Sequence, residues 1–265
     1  MIFCSLFSGS SGNSIFVSSD NTKVLVDAGL SGKKIIEALQ TIDENPKEID
    51  AIFITHEHSD HIKGAGIISR KLDIPIYANE ATWLAMEKSL GNIKDKNIKV
   101  LQKRSVTTIK DLDIVCFNTP HDSIAPMGYT FSSNGKSASI VTDIGTFTEE
   151  IKRNIKDSQV VLLESNHDVE MLKFGPYPYD LKRRVLSEIG HLCNEDCGRA
   201  IVDILNINDK ISRNIVLGHL SNTNNVPELA YTTVLNVLNE NKIAVGKGLN
   251  LRMADRYKPS SYIKF

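Results

Sequence analysis

A chain of 265 residues, 41% of them hydrophobic, can bury a full core, and its formal net charge of −1 excludes a large, uniformly basic nucleic-acid surface but not a local basic rim. No stretch approaches the roughly 18 uninterrupted apolar residues of a membrane span, and "MIFCSLFSGSSGNS" has no positively charged start of the kind a secretory signal carries. Cys4, Cys116, Cys193 and Cys197 form no framework typical of a small secreted domain, so the expectation is a cytoplasmic protein that does not engage membranes.

Strand and helix patterns interleave along the chain, which predicts an α/β or layered αβ architecture. The first predicted strands are "IFCSLF", "SIFVSS" and "KVLVDAG", with the loop "SGSSGNS" after the first and a hairpin turn at "NT" between the others. "SGKKIIEALQ" has helical spacing with Ser31 as N-cap, and "AIFIT" reads as a buried strand. Further strands are expected at "IPIYA", "IKVL", "VTTI", "LDIVCFN", "MGYTFSS", "SASIVTDIG" and "QVVLLESN", with "NGK" as a hairpin turn. Trp83 lies in a helical stretch and reads as packing. From about residue 168 the pattern turns helical at "YDLKRRVLSEIG", "NEDCGRAIVDILNIN" and "PELAYTTVLNVLNE", with the strand "NIVLGHLS" among them and "KIAVGKGLNLRMA" near the end. No internal repeat is visible by eye.

Chemistry concentrates in "THEHSDH", Thr55–His61, which holds three of the chain's seven histidines directly after a strand. Alternate residues at a strand end point the same way, so His56 and His58 can reach one ion. Asp60 and His61, on the turn into the next helix, can reach a second. A lone histidine is usually a structural hydrogen-bonder, but this spacing has no evident structural purpose. Asp27, His121, Asp143 and His219 each follow a predicted strand. Singly, the aspartates could be turn residues and the histidines satisfied interior groups; jointly, those separate accidents are improbable. Cys193 and Cys197, four apart, read as small core residues in preference to a metal or redox pair. "SGSSGNS" lacks the terminal G-K-[ST] of a P-loop.

Asp27, "THEHSDH", His121, Asp143 and His219 together resemble the metallo-β-lactamase-fold hydrolases over nearly the whole chain. The resemblance implies a four-layered αβ/βα sandwich, with two mixed β-sheets flanked by helices, as a single domain over residues 1–265. It further implies two divalent ions, zinc, manganese or iron. By it, His56, His58 and His121 hold one ion, Asp60, His61 and His219 the second, and Asp143 bridges them. Asp27 would orient the histidine loop, and Asp60 is also essential to turnover. Two ions roughly 3.5–4 Å apart can lower the pKa of a shared water toward about 7.

Histidine at position 58 departs from the flavodiiron pattern, and Asp143 departs from the β-lactam hydrolases. A thioesterase of the glyoxalase II kind has the same ligands and is the alternative; a metal-bearing regulatory protein with weak hydrolase activity is a third reading. "LLESNHD", "GHLCNEDCGRA" and "LGHLSNTNN" are similar in order to ribonuclease Z, and with "SGSSGNS", "DAG" and "YPYDLKRRVLSEIGHLCN" they look like the YycJ/WalJ subgroup. That resemblance implies 5′–3′ exonuclease action on single-stranded DNA, with Cys193 where serine is expected, and leaves monomer and homodimer open. The span from Asp143 to His219 is too short for the inserted domain of ribonuclease J-like enzymes. His191 is assigned as general acid, oriented by Glu164, with His167 as its rival. Substrate contacts are expected from Ser8, Ser10, Ser11, Asn13, Asn166, His167, Asn222 and Asn225. Lys182, Arg183 and Arg184 would grip the nucleic-acid backbone.

Overall fold

Alternation along the strands decides what each sheet face is buried against. The computed structural model describes residues 1–102 and 105–265. The first half runs β1 (Ile2–Phe7), β2 (Ser14–Ser18), β3 (Lys23–Val26), α1 (Gly32–Thr41), β4 (Ala51–Phe53), α2 (Ser59–Ile62), α3 (Ala65–Leu72), β5 (Ile76–Asn79), α4 (Glu80–Leu90) and β6 (Ile98–Leu101). The second runs β7 (Val106–Ile109), β8 (Leu112–Asn118), β9 (Met127–Ser133), β10 (Lys136–Val141), α5 (Glu149–Ile155), β11 (Val160–Glu164), α6 (Val169–Phe174) and α7 (Tyr179–Val185). It continues with α8 (Asn194–Ile207), β12 (Arg213–Gly218), α9 (Pro227–Glu240), β13 (Leu249–Met253) and β14 (Ser260–Lys264).

Among the described residues two seven-stranded sheets form, ordered β14-β1-β2-β3-β4-β5-β6 and β13-β12-β11-β10-β9-β8-β7. Phe3, Val17, Val24 and Phe53 of the first sheet meet Ile114, Tyr129, Ile140 and Leu162 of the second in the central layer. Tyr129 also hydroxyl-bonds across it to Ile54 O, at 2.6 Å. The alternate residues face outward. Leu6, Phe16, Leu25 and Ile52 pack on α1, α3 and α4, while Val161, Leu163, Ile215 and Leu217 pack on α5, α8 and α9. These are the four layers and two mixed sheets expected, and no described helix is long and apolar enough to cross a membrane.

The halves repeat one another in topology. Within each sheet, antiparallel pairing runs up to β3 or β10 and parallel pairing continues from there through β6 or β13. The repeat was invisible by eye because it resides in pairing, and it shows locally only as "VDAG" after β3 against "TDIG" after β10. Both aspartates sit in the left-handed region, Asp27 at φ 60° and Asp143 at φ 56°. Other differences from expectation are β14, which returns to pair antiparallel with β1, and helices α3, α5 and α6. Asp60 and His61 stand inside the one-turn helix α2 rather than on a turn before it.

The "DAG" turn and the "SGSSGNS" loop are both stitched to the histidine loop through backbone: Ala28 N donates to His61 O (2.7 Å), and Asn13 N to Asp60 O (2.8 Å). Gly29 lies against that seam so closely that a Cβ there would fall 1.6 Å from Asp60 O. Gly29→Ala must therefore separate the turn from the loop. Overpacking of this kind costs about 1–3 kcal/mol or more, so calorimetry should find Tm lowered by about 3–10 °C. An unchanged Tm would mean that the seam yields freely.

Candidate functional site

Strand ends from both sheets converge at one edge. The histidine loop follows β4, His121 follows β8, and Asp143, Glu164 and His219 stand at the ends of the adjacent parallel strands β10, β11 and β12. Parallel neighbours present their carboxyl ends together, so residues far apart in sequence arrive side by side. Donor atoms of His56, His58 and His121 lie within 4.8 Å of one another, and so do those of Asp60, His61 and His219. Asp143 stands between the groups: its Oδ2 is 3.3 Å from His61 Nε2, and its Oδ1 is 3.6 Å from His121 Nε2 and 3.4 Å from His219 Nε2. Every residue the sequence singled out as a metal ligand is thus brought into one cluster.

Most of these histidines are held from behind. His61 Nδ1 is 2.8 Å from Asp27 Oδ2, His219 Nδ1 is 3.0 Å from Glu164 Oε1, and His121 Nδ1 is 3.1 Å from Gly190 O. Such outer partners set the tautomer and aim the other nitrogen inward. Asp27 also accepts from Thr55 N at 2.8 Å and Thr55 Oγ1 at 2.9 Å, and Thr55 Oγ1 lies 3.0 Å from His56 Nδ1. Sequence reasoning quoted Thr55 in its motif without giving it this role. His58 differs, since its Nδ1 faces His56 Nε2 at 3.0 Å.

The electrostatics favour a cation. Burial opposes charging of His61, but the Asp143, Asp27 and Asp60 carboxylates outweigh it and push its pKa well above the ordinary histidine value. His219, likewise resisted by burial and favoured by Asp143, Asp60 and Glu164, is raised to about 10. His56, buried and faced by three other imidazoles, is held well below its ordinary value. Asp143 Oδ2 and His219 Nε2 are buried without a hydrogen bond. Asp143 Oδ2 and His219 Nε2 are thus free to bind a further group, and clustered imidazole nitrogen and carboxylate oxygen suit a divalent ion. The residues fit the metal that the fold implies.

Glu164, fully buried, joins this cluster to His191. Its Oε1 accepts from His191 Nδ1 at 2.7 Å and its Oε2 from Ile144 N at 2.7 Å. Burial works against ionisation of Glu164, yet His191 and His219 hold its carboxyl below the usual range. Burial likewise opposes charging of His191, and Glu164 and Asp143 reverse it, raising the pKa. His167 is buried with neither ring nitrogen hydrogen-bonded, and burial lowers its pKa to about 4. At 1% exposure His167 offers no surface contact, which corrects that expectation, and the carboxylate of Glu164 meets His191 in its place.

Several expected substrate contacts turn inward and position the site instead. Ser8 Oγ accepts from His219 N (2.9 Å), and Asn166 Nδ2 donates to His219 O (2.9 Å). Asn13 accepts from Gly9 N (2.9 Å) and sets Nδ2 3.2 Å from His61 Nε2. Asn225 donates to Ser165 O and Asn166 O, both at 3.0 Å. Cys193, in the slot where serine is expected, is also interior, its thiol raised by burial to about 12. Ser10, Ser11 and Asn222 remain exposed. On α7, Lys182 Nζ donates to Lys173 O (2.8 Å), Arg183 lies 5.8 Å over the Tyr179 ring, and Arg184 ion-pairs with Asp122, beside His121.

The β-lactamase superfamily domain model matches residues 22–211. An exodeoxyribonuclease YycJ of Bacillus anthracis is 43% identical over 258 residues, 97% of each chain. An exodeoxyribonuclease WalJ of Streptococcus pneumoniae is 44% identical over 243 residues, 91% of this chain and 89% of its own. The crystal structure of the metallo-β-lactamase fold protein YhfI from Bacillus subtilis superposes with a TM-score of 0.72 at 15% identity, covering 98% of this chain and 100% of its own, a likeness of fold alone. By the family model and by relatives matched almost end to end, the chain belongs to the metallo-β-lactamase superfamily, in the branch that holds YycJ and WalJ.

Proposed function

We propose that this chain, acting as one domain in the cytoplasm, is a two-metal phosphodiester hydrolase that degrades nucleic acid, with single-stranded DNA attacked from its 5′ end. The carrying observation is the Glu164–His191 pair set against the metal-ligand cluster: Glu164 Oε1 lies 2.7 Å from His191 Nδ1 and 3.0 Å from His219 Nδ1. The names of the YycJ and WalJ relatives, which are exodeoxyribonucleases, support it.

In this reading His56, His58 and His121 hold one ion, Asp60, His61 and His219 the other, and Asp143 both. When bound, a pair of zinc, manganese or iron ions supplies Lewis acidity toward a phosphoryl oxygen and acidifies water. The protein does the rest. Asp27 and Thr55 fix the ring of His61, and Glu164 fixes that of His219. His191, with Nδ1 engaged by Glu164, has Nε2 available to protonate the departing oxygen. Such proton transfer contributes about 10²–10⁴-fold. A thioester leaves as a thiolate that needs no such donor, so the pair favours phosphodiester chemistry over the thioesterase alternative.

Asp143→Ala should lower metal content and abolish turnover, as judged by elemental analysis and hydrolysis of bis-p-nitrophenyl phosphate. Normal stoichiometry with full turnover would remove Asp143 from the site. His191→Ala should lose about 10²-fold or more on a single-stranded oligonucleotide, whose leaving group is an alkoxide, and far less on bis-p-nitrophenyl phosphate. Equal losses on both would make His191 a binding residue. Efficient turnover of S-lactoylglutathione with single-stranded DNA left intact would establish the thioesterase instead. Because Arg184 is neutralised by Asp122, the backbone grip of α7 should come from its neighbours. Lys182→Ala with Arg183→Ala should reduce the slope of log affinity against log salt by about 1 to 1.5, and an unchanged slope would make this a solvated helix face.

A further inference from the structure

A cleft of about 540 Å³ opens beside the site, bordered by Ser11, Gly29, Lys34, Lys63, Arg256 and Tyr257 among others, with Lys258 also on its wall. It adjoins the chemistry at two points. Gly29 is the residue pressed on the Asp60 backbone. Arg256, on the loop between β13 and β14, donates through Nη2 to Leu220 O at 2.5 Å, immediately after His219, and through Nη1 to Ser10 Oγ at 3.4 Å.

The cleft's charge is unbalanced. Lys34, Lys63 and Lys258 are exposed, and none is ion-paired among the described residues. The one acid on the wall, Glu37, faces Lys33 at 3.8 Å. An overall charge of −1 makes such a local excess of cations distinctive. Beside them stands an aromatic ring in water: Tyr257 is 73% exposed, with the Arg256 guanidinium 5.9 Å from its centroid. Its hydroxyl is anchored to Asn222 Oδ1 at 3.3 Å, which limits its swing. Unpaired ammonium groups along a groove, with an arginine-backed aromatic ring at the edge, match the chemistry of a single-stranded polynucleotide: phosphates for the lysines and a base face for the ring.

We infer that this cleft receives the single strand running out of the metal centre, its phosphates on Lys34, Lys63 and Lys258 and one base stacked on Tyr257. The inference rests on the nuclease reading and adds to it where the rest of the strand lies. Arg256 holds the cleft to the site by tying the Leu220 and Ser10 loops together.

The test uses the metal-loaded protein with phosphorothioate single strands of 2 and 20 nucleotides, in DNA and RNA form, followed by fluorescence anisotropy across a salt series. Removing three phosphate contacts by Lys34→Ala, Lys63→Ala and Lys258→Ala should lower the salt slope for the 20-mer by about 2. Tyr257→Ala should weaken 20-mer binding about five- to a hundredfold and Tyr257→Phe much less. The dinucleotide, too short to reach the cleft, should bind each variant about as it binds the wild type, and thermal melting checks that the fold survives. A wild-type protein that binds the 20-mer, with slope and affinity unmoved by these changes, overturns the cleft alone. A wild-type protein that turns over bis-p-nitrophenyl phosphate yet holds no strand overturns the nuclease reading and the cleft with it.

Discussion

One buried carboxylate sets the geometry on which the site depends. Glu164 ends β11 with no exposure to solvent, and an ionised carboxylate so placed costs several kcal/mol unless its lone pairs are met. Three donors meet them: His191, His219 and the backbone of Ile144. Each belongs to a different part of the chemistry. His219 is a metal ligand in the proposed mechanism, His191 its proton donor, and Ile144 the residue that follows Asp143. Neither histidine can rotate without leaving the carboxylate short of a partner, so rigidity follows from the desolvation penalty.

Strain is stored around that anchor. Asp27, Asp143 and His219 follow strand ends in the left-handed region, at φ 60°, 56° and 54°. Non-glycine residues held there cost on the order of 1–3 kcal/mol each. The surroundings compensate: Asp27 N donates to Phe53 O at 2.8 Å, Gly145 N to Pro120 O at 2.9 Å, and His219 N to Ser8 Oγ at 2.9 Å. The repeated "D-x-G" turns show one device used twice. After β3 the aspartate faces inward to position His61; after β10 it stands among the metal-grade groups of both halves. The same backbone bend thus supplies an orienting residue in one sheet and, in the proposed mechanism, a bridging residue in the other.

Much of this was legible in the sequence because strand ends carry their own signal. An apolar run that stops at Asp27, His56, His121, Asp143, Glu164 or His219 reveals both the strand and the group it delivers. What the pattern could not reveal was the side a polar residue faces. Ser8, Asn13, Asn166 and Asn225 sit in polar, turn-like stretches that read as a substrate mouth. In the fold they are interior, satisfying backbone that strand ends leave without partners. His167 misled for the same reason. Periodicity also missed β14, whose partner is β1: Ile2 pairs with Lys264, a contact between the two ends of the chain.

That return of the chain explains where reach can be added to the chemistry. β13 lies at the edge of one sheet and β14 at the edge of the other, so their connection must cross between the sheets. It crosses beside the strand ends that carry the site, which is why Arg256 can touch Ser10 from 246 positions away and Leu220 from 36. Strand ends are too constrained to accommodate a substrate of variable sequence, because Glu164, Asp27 and the backbone around them hold the side chains there in fixed orientations. A surface connection has exposed backbone and long side chains that can adapt. Precise chemistry and permissive grip therefore belong to different segments, and the crossing loop places the second against the first.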